Sequence, residues 1–505
     1  MLLPEKLILA RFDFGEIQCN IFEHQLKFVV NHFPIFLIEM LFCFLFSVIP
    51  IGIEFRSIVI GMLNCYHISM LLPEKFIEKY RNIFGDEADD FLASFDQEAI
   101  SGFRVNPLKN TQQTFDNPIP NTPWGYYGKV SGKSPEHVSG LVYSQEPAAQ
   151  MVAQVAAPQE NMRVLDLAAA PGGKSTHLLS YMNNTGVLVS NEISSKRSKV
   201  LVENIERFGA RNVVVTNESS QKLSKVFKDY FDLIVFDGPC SGEGMFRKDS
   251  SATQYWHEDY PAECAVLQKE ILEEAMKMLA IGGTLVYSTC TWSPEENEGV
   301  VKWLLDKYDY LELVDIEKIN GMVEGIDMPQ VARMCPHHFK GEGQFVAKLR
   351  DTRMPEARSV KPVKSNLTKV QLKLWQDFAK QHIKVGLTGI LQTFGDNLYL
   401  LPEGLPDLGK LKIARNGLHL GIFKKNRFEP SFALGLALSP DDVEQFVKID
   451  IEQFRVYVSG NIVKLEEPIQ NGWYLVVING NGMGFAKITG NILKNHFPKR
   501  LRFYS

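Results

Sequence analysis

Cysteine is scarce in this chain. The seven in 505 residues are an odd and scattered set: Cys19, Cys43, Cys65, Cys240, Cys264, Cys290 and Cys335. That excludes the paired framework of a small secreted disulfide scaffold and fits a reducing compartment, the cytoplasm. Repeats of fixed period and low-complexity tracts are missing too, which sets aside solenoids and disordered chains. With 45% hydrophobic and 22% charged residues the composition is that of a folded protein, long enough for two or three domains of roughly 100 to 200 residues. Negative charge runs short at one end. The net charge of -5 divides into +8 from residue 351 onward, where 22 Lys/Arg face 14 Asp/Glu, and -13 before it. Lys and Arg release counterions from phosphates, so the basic C-terminal part is expected to meet a polyanion.

Long apolar runs are absent but for "FPIFLIEMLFCFLFSVIPIGI", residues 33 to 53, where Glu39 is the only charge. Its length approaches the roughly 20 residues of a bilayer span. Against a membrane anchor, "MLLPEK" occurs at Met1 and again at Met70, and amphipathic patterning begins only after Met70. The expected functional chain therefore starts at Met70, residues 1–69 are an extension outside it, and no stable membrane association is expected.

Between residues 162 and 290, short apolar runs ("MRVLDLAAA", "GVLVSNEI", "NVVVTN", "DLIVFDGPC", "TLVYSTC") alternate with amphipathic stretches such as "KRSKVLVENIERFG" and "AECAVLQKEILEEAMKMLA". Continuous apolar runs bounded by turns fit strands buried on both faces, so the reading is α/β with a doubly wound parallel sheet. Ligands of such sheets sit at the carboxyl ends of the strands. At the first exit, Asp166 closes the strand, Pro171, Gly172 and Gly173 turn the chain, and Lys174 opens a helix. This turn has neither the phosphate-loop spacing G-x-x-x-x-G-K nor the G-x-G-x-x-G of a dinucleotide site. Glu192, 19 positions after Gly173, is placed like the acid that holds ribose hydroxyls. A ribose-bearing cofactor without a pyrophosphate points to S-adenosylmethionine; no metal is assigned. Cys240 and Cys290 fall at two further strand ends, and their spacing alone does not rank them.

"LDLAAAPGGKSTHL", "FDGPCSGEGMFRKD", "YSTCTWSPEENEGVV" and "CPHHFKGEGQFVAKLR" occur in this order. Together they resemble the Sun-type RNA cytosine-5 methyltransferase family, most of all its bacterial ribosomal small subunit methyltransferase F branch, over the chain from Met70 onward. The resemblance implies a Rossmann-like S-adenosylmethionine-dependent methyltransferase sheet, an N-terminal α+β substrate-binding segment and a C-terminal PUA-like β-barrel region. The implied domains are 70–150 for the N-terminal segment, 151–352 for the catalytic domain, 353–380 for a linker and helical segment, and 381–505 for the RNA-binding region.

The resemblance also implies roles. Cys290 is the nucleophile, Cys240 assists product release and Asp237 holds the cytosine edge near the methyl. Ala168, Ala169, Ala170, Pro171, Gly172, Gly173 and Lys174 take the methionine and sugar end of the cofactor, and Glu192 takes the ribose. One position departs from the pattern: where an acid near the adenine is expected after the third strand, "TNESS" puts Ser219. Cys264 and Cys335 read as structural. Arg104 and Lys109 in "FRVNPLK" read as phosphate contacts, "SGLVYSQEPAAQMVAQVAAP" reads as a helix, and Trp473, Tyr474, Phe485 and Phe497 read as base-stacking or barrel-core residues. The implied partner is RNA, 16S rRNA or a small-subunit particle, with no DNA and a monomeric chain. Transfer RNA is the alternative substrate, and a non-catalytic RNA-binding assembly factor is the reading from another class.

Overall fold

The structure, a computed structural model, describes residues 72–111, 113–355, 361 and 363–504. The apolar stretch 33–53 and the expected start at Met70 lie outside the described residues. Among the described residues no helix is long and apolar enough to cross a membrane.

The N-terminal part begins with helix α1 (Glu74–Phe84), which buries Phe76 and Tyr80, and α2 (Ala88–Ala93), which buries Phe91. These rings join Phe246, Trp256 and Trp292 in one apolar cluster. The N-terminal helices are thus packed onto the two cysteine-bearing loops. Strands β1 (Gly102–Val105), β2 (Gly125–Tyr127) and β3 (Val142–Ser144) form an antiparallel sheet in the order β2-β1-β3. The stretch expected as one helix therefore divides. Val142 and Tyr143 pair with β1, and the helix α3 (Pro147–Ala156) starts only where Glu146 accepts hydrogen bonds from the Ala148 and Ala149 amides.

The central sheet contains β4 (Arg163–Asp166), β5 (Val187–Asn191), β6 (Val213–Thr216), β7 (Phe231–Asp237) and β8 (Leu279–Thr289), all parallel, in the spatial order β6-β5-β4-β7-β8. The order reverses between β4 and β7, which creates the crevice where such sheets bind ligands. Their Val, Leu and Ile side chains are buried on both faces, each contributing about 1.5–3 kcal/mol. Helix α4 (Gly173–Met182) follows β4. Helix α5 (Ser195–Phe208) buries Ser198, Leu201, Ile205 and Phe208 along one face, and Gly209 at φ 83° ends it. Helix α6 (Tyr260–Met278) passes into β8 at Leu279, so that strand starts before the run "TLVYSTC". Antiparallel β9 (Leu311–Val314), β10 (Val323–Gly325), β11 (Met328–Met334) and β12 (Gln344–Asp351) extend the sheet beyond β8.

In the C-terminal part, α7 (Lys369–His382) opens with a capping box between Thr368 and Gln371. Strands β13 (Ile390–Phe394) and β14 (Asn397–Leu401) lead to β15 (Ile413–Arg415), which leaves its neighbours to pair antiparallel with β6 of the central sheet. The buried Arg415 secures this edge by donating to the Val213 and Ala210 carbonyls. A final five-stranded sheet spans residues 446–494. In it and just after it, Tyr474, Phe485 and Phe497 are buried core residues, while Trp473 is part-exposed beside His496. The three core rings are therefore closed to base stacking.

Two basic residues expected to face phosphate are bonded within the protein instead. Arg104 is wholly buried. Its guanidinium donates to the Gly173 carbonyl at 2.9 Å and Thr176 Oγ1 at 2.7 Å, so it braces the glycine turn from beneath and does not face phosphate. Burial pulls its pKa down to about 9. The Lys109 ammonium donates to the Leu436 carbonyl and is pushed down to about 7, first by burial and then by Arg211. It ties the N-terminal segment to the C-terminal part.

Candidate active site

Four strand ends converge at the crevice. Lys174, in the first turn of α4, donates to Asp237 Oδ2 at 2.6 Å. Asp237, closing β7, also accepts from Ser288 Oγ at 2.6 Å and Gln344 Nε2 at 3.0 Å through its other oxygen. Burial works to lower the Lys174 pKa, but the charges of Asp237 and then Cys290 overcome it and hold the ammonium above its usual range. Past the ends of β7 and β8, the Sγ atoms of Cys240 and Cys290 stand 3.3 Å apart, both as free cysteines. The Cys240 thiol is raised well above the ordinary thiol range, first by its hydrogen bond with Cys290, then by burial and by Glu296 and Asp237. The two thiols thus share one hydrogen bond, and either sulfur can be its donor.

The loops that carry the thiols are held by two buried acids. Glu296 accepts from the Ser241 amide at 2.9 Å, from Ser241 Oγ, and from Gln268 Nε2 at 2.9 Å. Burial lifts its pKa to about 7. Glu243 accepts from Trp256 Nε1 at 2.9 Å, Thr291 Oγ1 at 2.6 Å and the Tyr80 hydroxyl of α1. Between these loops Gly244 and Gly343 meet backbone to backbone: a Cβ on Gly343 would lie 2.6 Å from Gly244 Cα and 2.4 Å from the Trp292 ring. Only glycine fits there.

On the other side of β4, Gly172 adopts φ 115° and caps α4, bringing bare backbone to the crevice. Ala168 is part-exposed, Ala169 and Ala170 are buried, and Pro171 is exposed. Beneath them Ser175 Oγ donates to Asp166 Oδ2 at 2.6 Å and contacts Ser190 Oγ at 2.9 Å; burial raises Asp166 to about 7. Glu192, just past β5, is 2% exposed. Its Oε1 accepts from the Ser194 amide at 2.8 Å. Its Oε2 has no hydrogen bond, only a 3.4 Å ion pair with Arg197. A buried carboxylate oxygen left short of donors at the second strand end is a fit for ribose hydroxyls.

The structure therefore brings Lys174 onto Asp237 and Cys240 onto Cys290, two direct contacts at neighbouring strand ends, and places Glu192 and the 168–173 turn past the ends of β5 and β4. Ser219 heads a short helical turn at the end of β6 and makes no capping bond. The acid beside it, Glu218, is buried and accepts from Lys222 Nζ and from the Lys412 amide, next to β15. The sequence reading missed Glu218, Ser288, Gln344, Glu243 and Glu296. Ser288, Gln344, Glu243 and Glu296 lie inside the four quoted motifs and Glu218 inside the quoted "TNESS", as polar residues at or past strand ends, and that was the available signal.

A reversing parallel sheet with these strand-end groups defines the class, an S-adenosylmethionine-dependent methyltransferase of the Rossmann-like type. Residues 153–350 match the family described as 16S rRNA methyltransferase RsmB/F. Residues 72–147 match the N-terminal domain of 16S rRNA methyltransferase RsmF, residues 377–438 its first C-terminal domain and residues 444–503 its PUA domain. The ribosomal RNA small subunit methyltransferase F of Vibrio campbellii is 32% identical over 86% of this chain and 98% of its own length; that of Shewanella loihica is 33% identical over 82% and 91%. Among solved structures, PH0851 superposes with a TM-score of 0.52 at 28% identity over 55% of this chain and 66% of that one. NSun6 from Pyrococcus horikoshii, solved with SFG, gives 0.50 at 23% over 56% and 99%, a likeness of fold. The chain belongs to the 16S rRNA methyltransferase RsmB/F family.

Replacing Glu192 by Ala is expected to weaken S-adenosylmethionine binding by about 1.5–3 kcal/mol for each charge-assisted hydrogen bond lost, with RNA affinity unchanged. Calorimetry with the cofactor alone measures this. Unchanged affinity would remove Glu192 from the site.

Proposed function

We propose that this protein methylates carbon 5 of a cytosine in 16S rRNA, in the cytoplasm, through a covalent bond between Cys290 and the base. The observation that carries the reading is the pair of thiols 3.3 Å apart at neighbouring strand ends, beside the Lys174–Asp237 ion pair. Carbon 5 is a poor nucleophile. A thiolate that adds to carbon 6 turns the ring into an enamine, and only then can carbon 5 accept a methyl group. Residues 168–174 and Glu192 would hold S-adenosylmethionine, which would supply that methyl as an electrophile on its sulfonium. Cys290 is the attacking sulfur, the role that the resemblance of its threonine–cysteine motif implies, and Cys240 stands 3.3 Å from it. Asp237 accepts from the exocyclic amine of cytosine or shares a proton with its ring nitrogen. After methylation a base removes the carbon 5 proton, the carbon 6–sulfur bond breaks and the Cys290 thiolate returns. Cys240, next to the ring, assists this release.

Segments 70–150 and 381–505 hold the RNA around the 151–352 catalytic domain. The test is a map of 5-methylcytosine in total RNA from cells with and without the gene. Loss of a 16S rRNA modification is expected. Loss confined to transfer RNA would move the substrate, and an unchanged map would contradict the activity.

A further inference from the structure

We propose that Glu87, His337 and His338 form a divalent transition-metal site that fastens the N-terminal helices to the loop entering β12. Glu87 ends the turn between α1 and α2, and the two histidines lie in the turn between β11 and β12. Glu87 Oε2 is 2.9 Å from His338 Nε2 and 3.5 Å from His337 Nε2, and the three donor atoms all lie within 4.8 Å of one another. In a tetrahedral shell with bonds of about 2.0–2.2 Å the donors stand about 3.3–3.6 Å apart; the Glu87–His337 distance falls in that range and the Glu87–His338 distance is a few tenths of an ångström short of it.

His337 supplies an independent observation. Its side chain is 4% exposed, yet neither ring nitrogen has a hydrogen bond. Phe84 and Phe91 hold the ring edge-on at 5.2 and 5.5 Å, so it cannot turn to find water. A buried imidazole with no hydrogen bond is costly, and coordination removes that cost. Two imidazoles and one carboxylate suit zinc, cobalt or nickel, and the exposed sides of Glu87 and His338 leave space for water as a further ligand. Among the described residues this is the one such cluster of three donors, and the sequence reading assigned no metal.

The site would act on the reaction only through position. The loop that carries the histidines continues to Glu342, which pairs with Arg247, and to Gln344, which donates to Asp237. The test is titration of the chelator-treated full-length protein with cobalt(II), followed by visible absorption and thermal melting. One saturable equivalent is expected, without a thiolate-to-cobalt charge-transfer band, and with a rise in melting temperature. Glu87→Gln, an exposed substitution that spares the core, should weaken binding by at least about tenfold and abolish the rise; His337→Ala/His338→Ala should do the same. No saturable binding, equal affinity in Glu87→Gln, or a charge-transfer band that disappears in Cys240→Ala would each overturn the proposal.

Discussion

Cys290→Ala is expected to bind RNA and S-adenosylmethionine yet to lose methyl transfer by at least about a thousandfold, with no protein–RNA adduct detectable. Cys240→Ala should behave in the opposite way: attack proceeds, elimination slows, and an adduct that survives denaturing gels accumulates. The difference follows from the thiol pair. At 3.3 Å only one sulfur needs to reach carbon 6, and the other stands beside the same ring, where release of the product needs acid–base help. The target base must leave its stack, at a cost of a few kcal/mol, which favours loops or partly assembled RNA over perfect duplex. The double substitution should lose the adduct. An adduct that forms in Cys290→Ala and not in Cys240→Ala would exchange the two roles.

Asp237→Ala should lose both activity and stability. Three groups from α4, β8 and β12 converge on this carboxylate, and the Lys174 side chain is only 15% exposed. Without Asp237 the ammonium stays in the crevice unpaired, at a cost of about 3 kcal/mol. Asp237→Asn keeps a hydrogen-bonding group in the same space, so it should recover part of that stability while methylation stays far below wild type. Urea unfolding and methyl incorporation from labelled cofactor separate the two effects. A stable, active Asp237→Ala protein would mean that the ion pair neither supports the crevice nor serves the reaction.

The central sheet was legible because burial on both faces leaves its own mark on sequence: "VVVT" or "DLIVF" has no polar side to alternate. The thiols were legible because each follows such a run in a polar turn. Arg104 was misread for a physical reason. A basic residue in a short polar stretch looks exposed, and its burial comes from β1 lying between β2 and β3 against the glycine turn, contacts distant in sequence. The same holds for Glu243, whose partners Tyr80, Trp256 and Thr291 come from three separate segments, and for β15, three residues whose strand character depends on the free edge of β6. Ser219 was placed by spacing, whereas the buried acid stands one residue earlier. Its orientation is decided by Lys222 and the Lys412 amide, not by spacing.

The most direct test of a Cys290–cytosine bond is to trap it. RNA carrying 5-fluorocytidine at the target position accepts the thiolate and the methyl but has no carbon 5 proton to lose, so the adduct persists. Digestion and mass spectrometry then identify the cross-linked peptide. The nucleotide should be found on the peptide that contains Cys290, and its yield should depend on S-adenosylmethionine for the methylated form. A nucleotide attached to the Cys240 peptide, or methylated RNA released with no protein adduct at all, would contradict the mechanism.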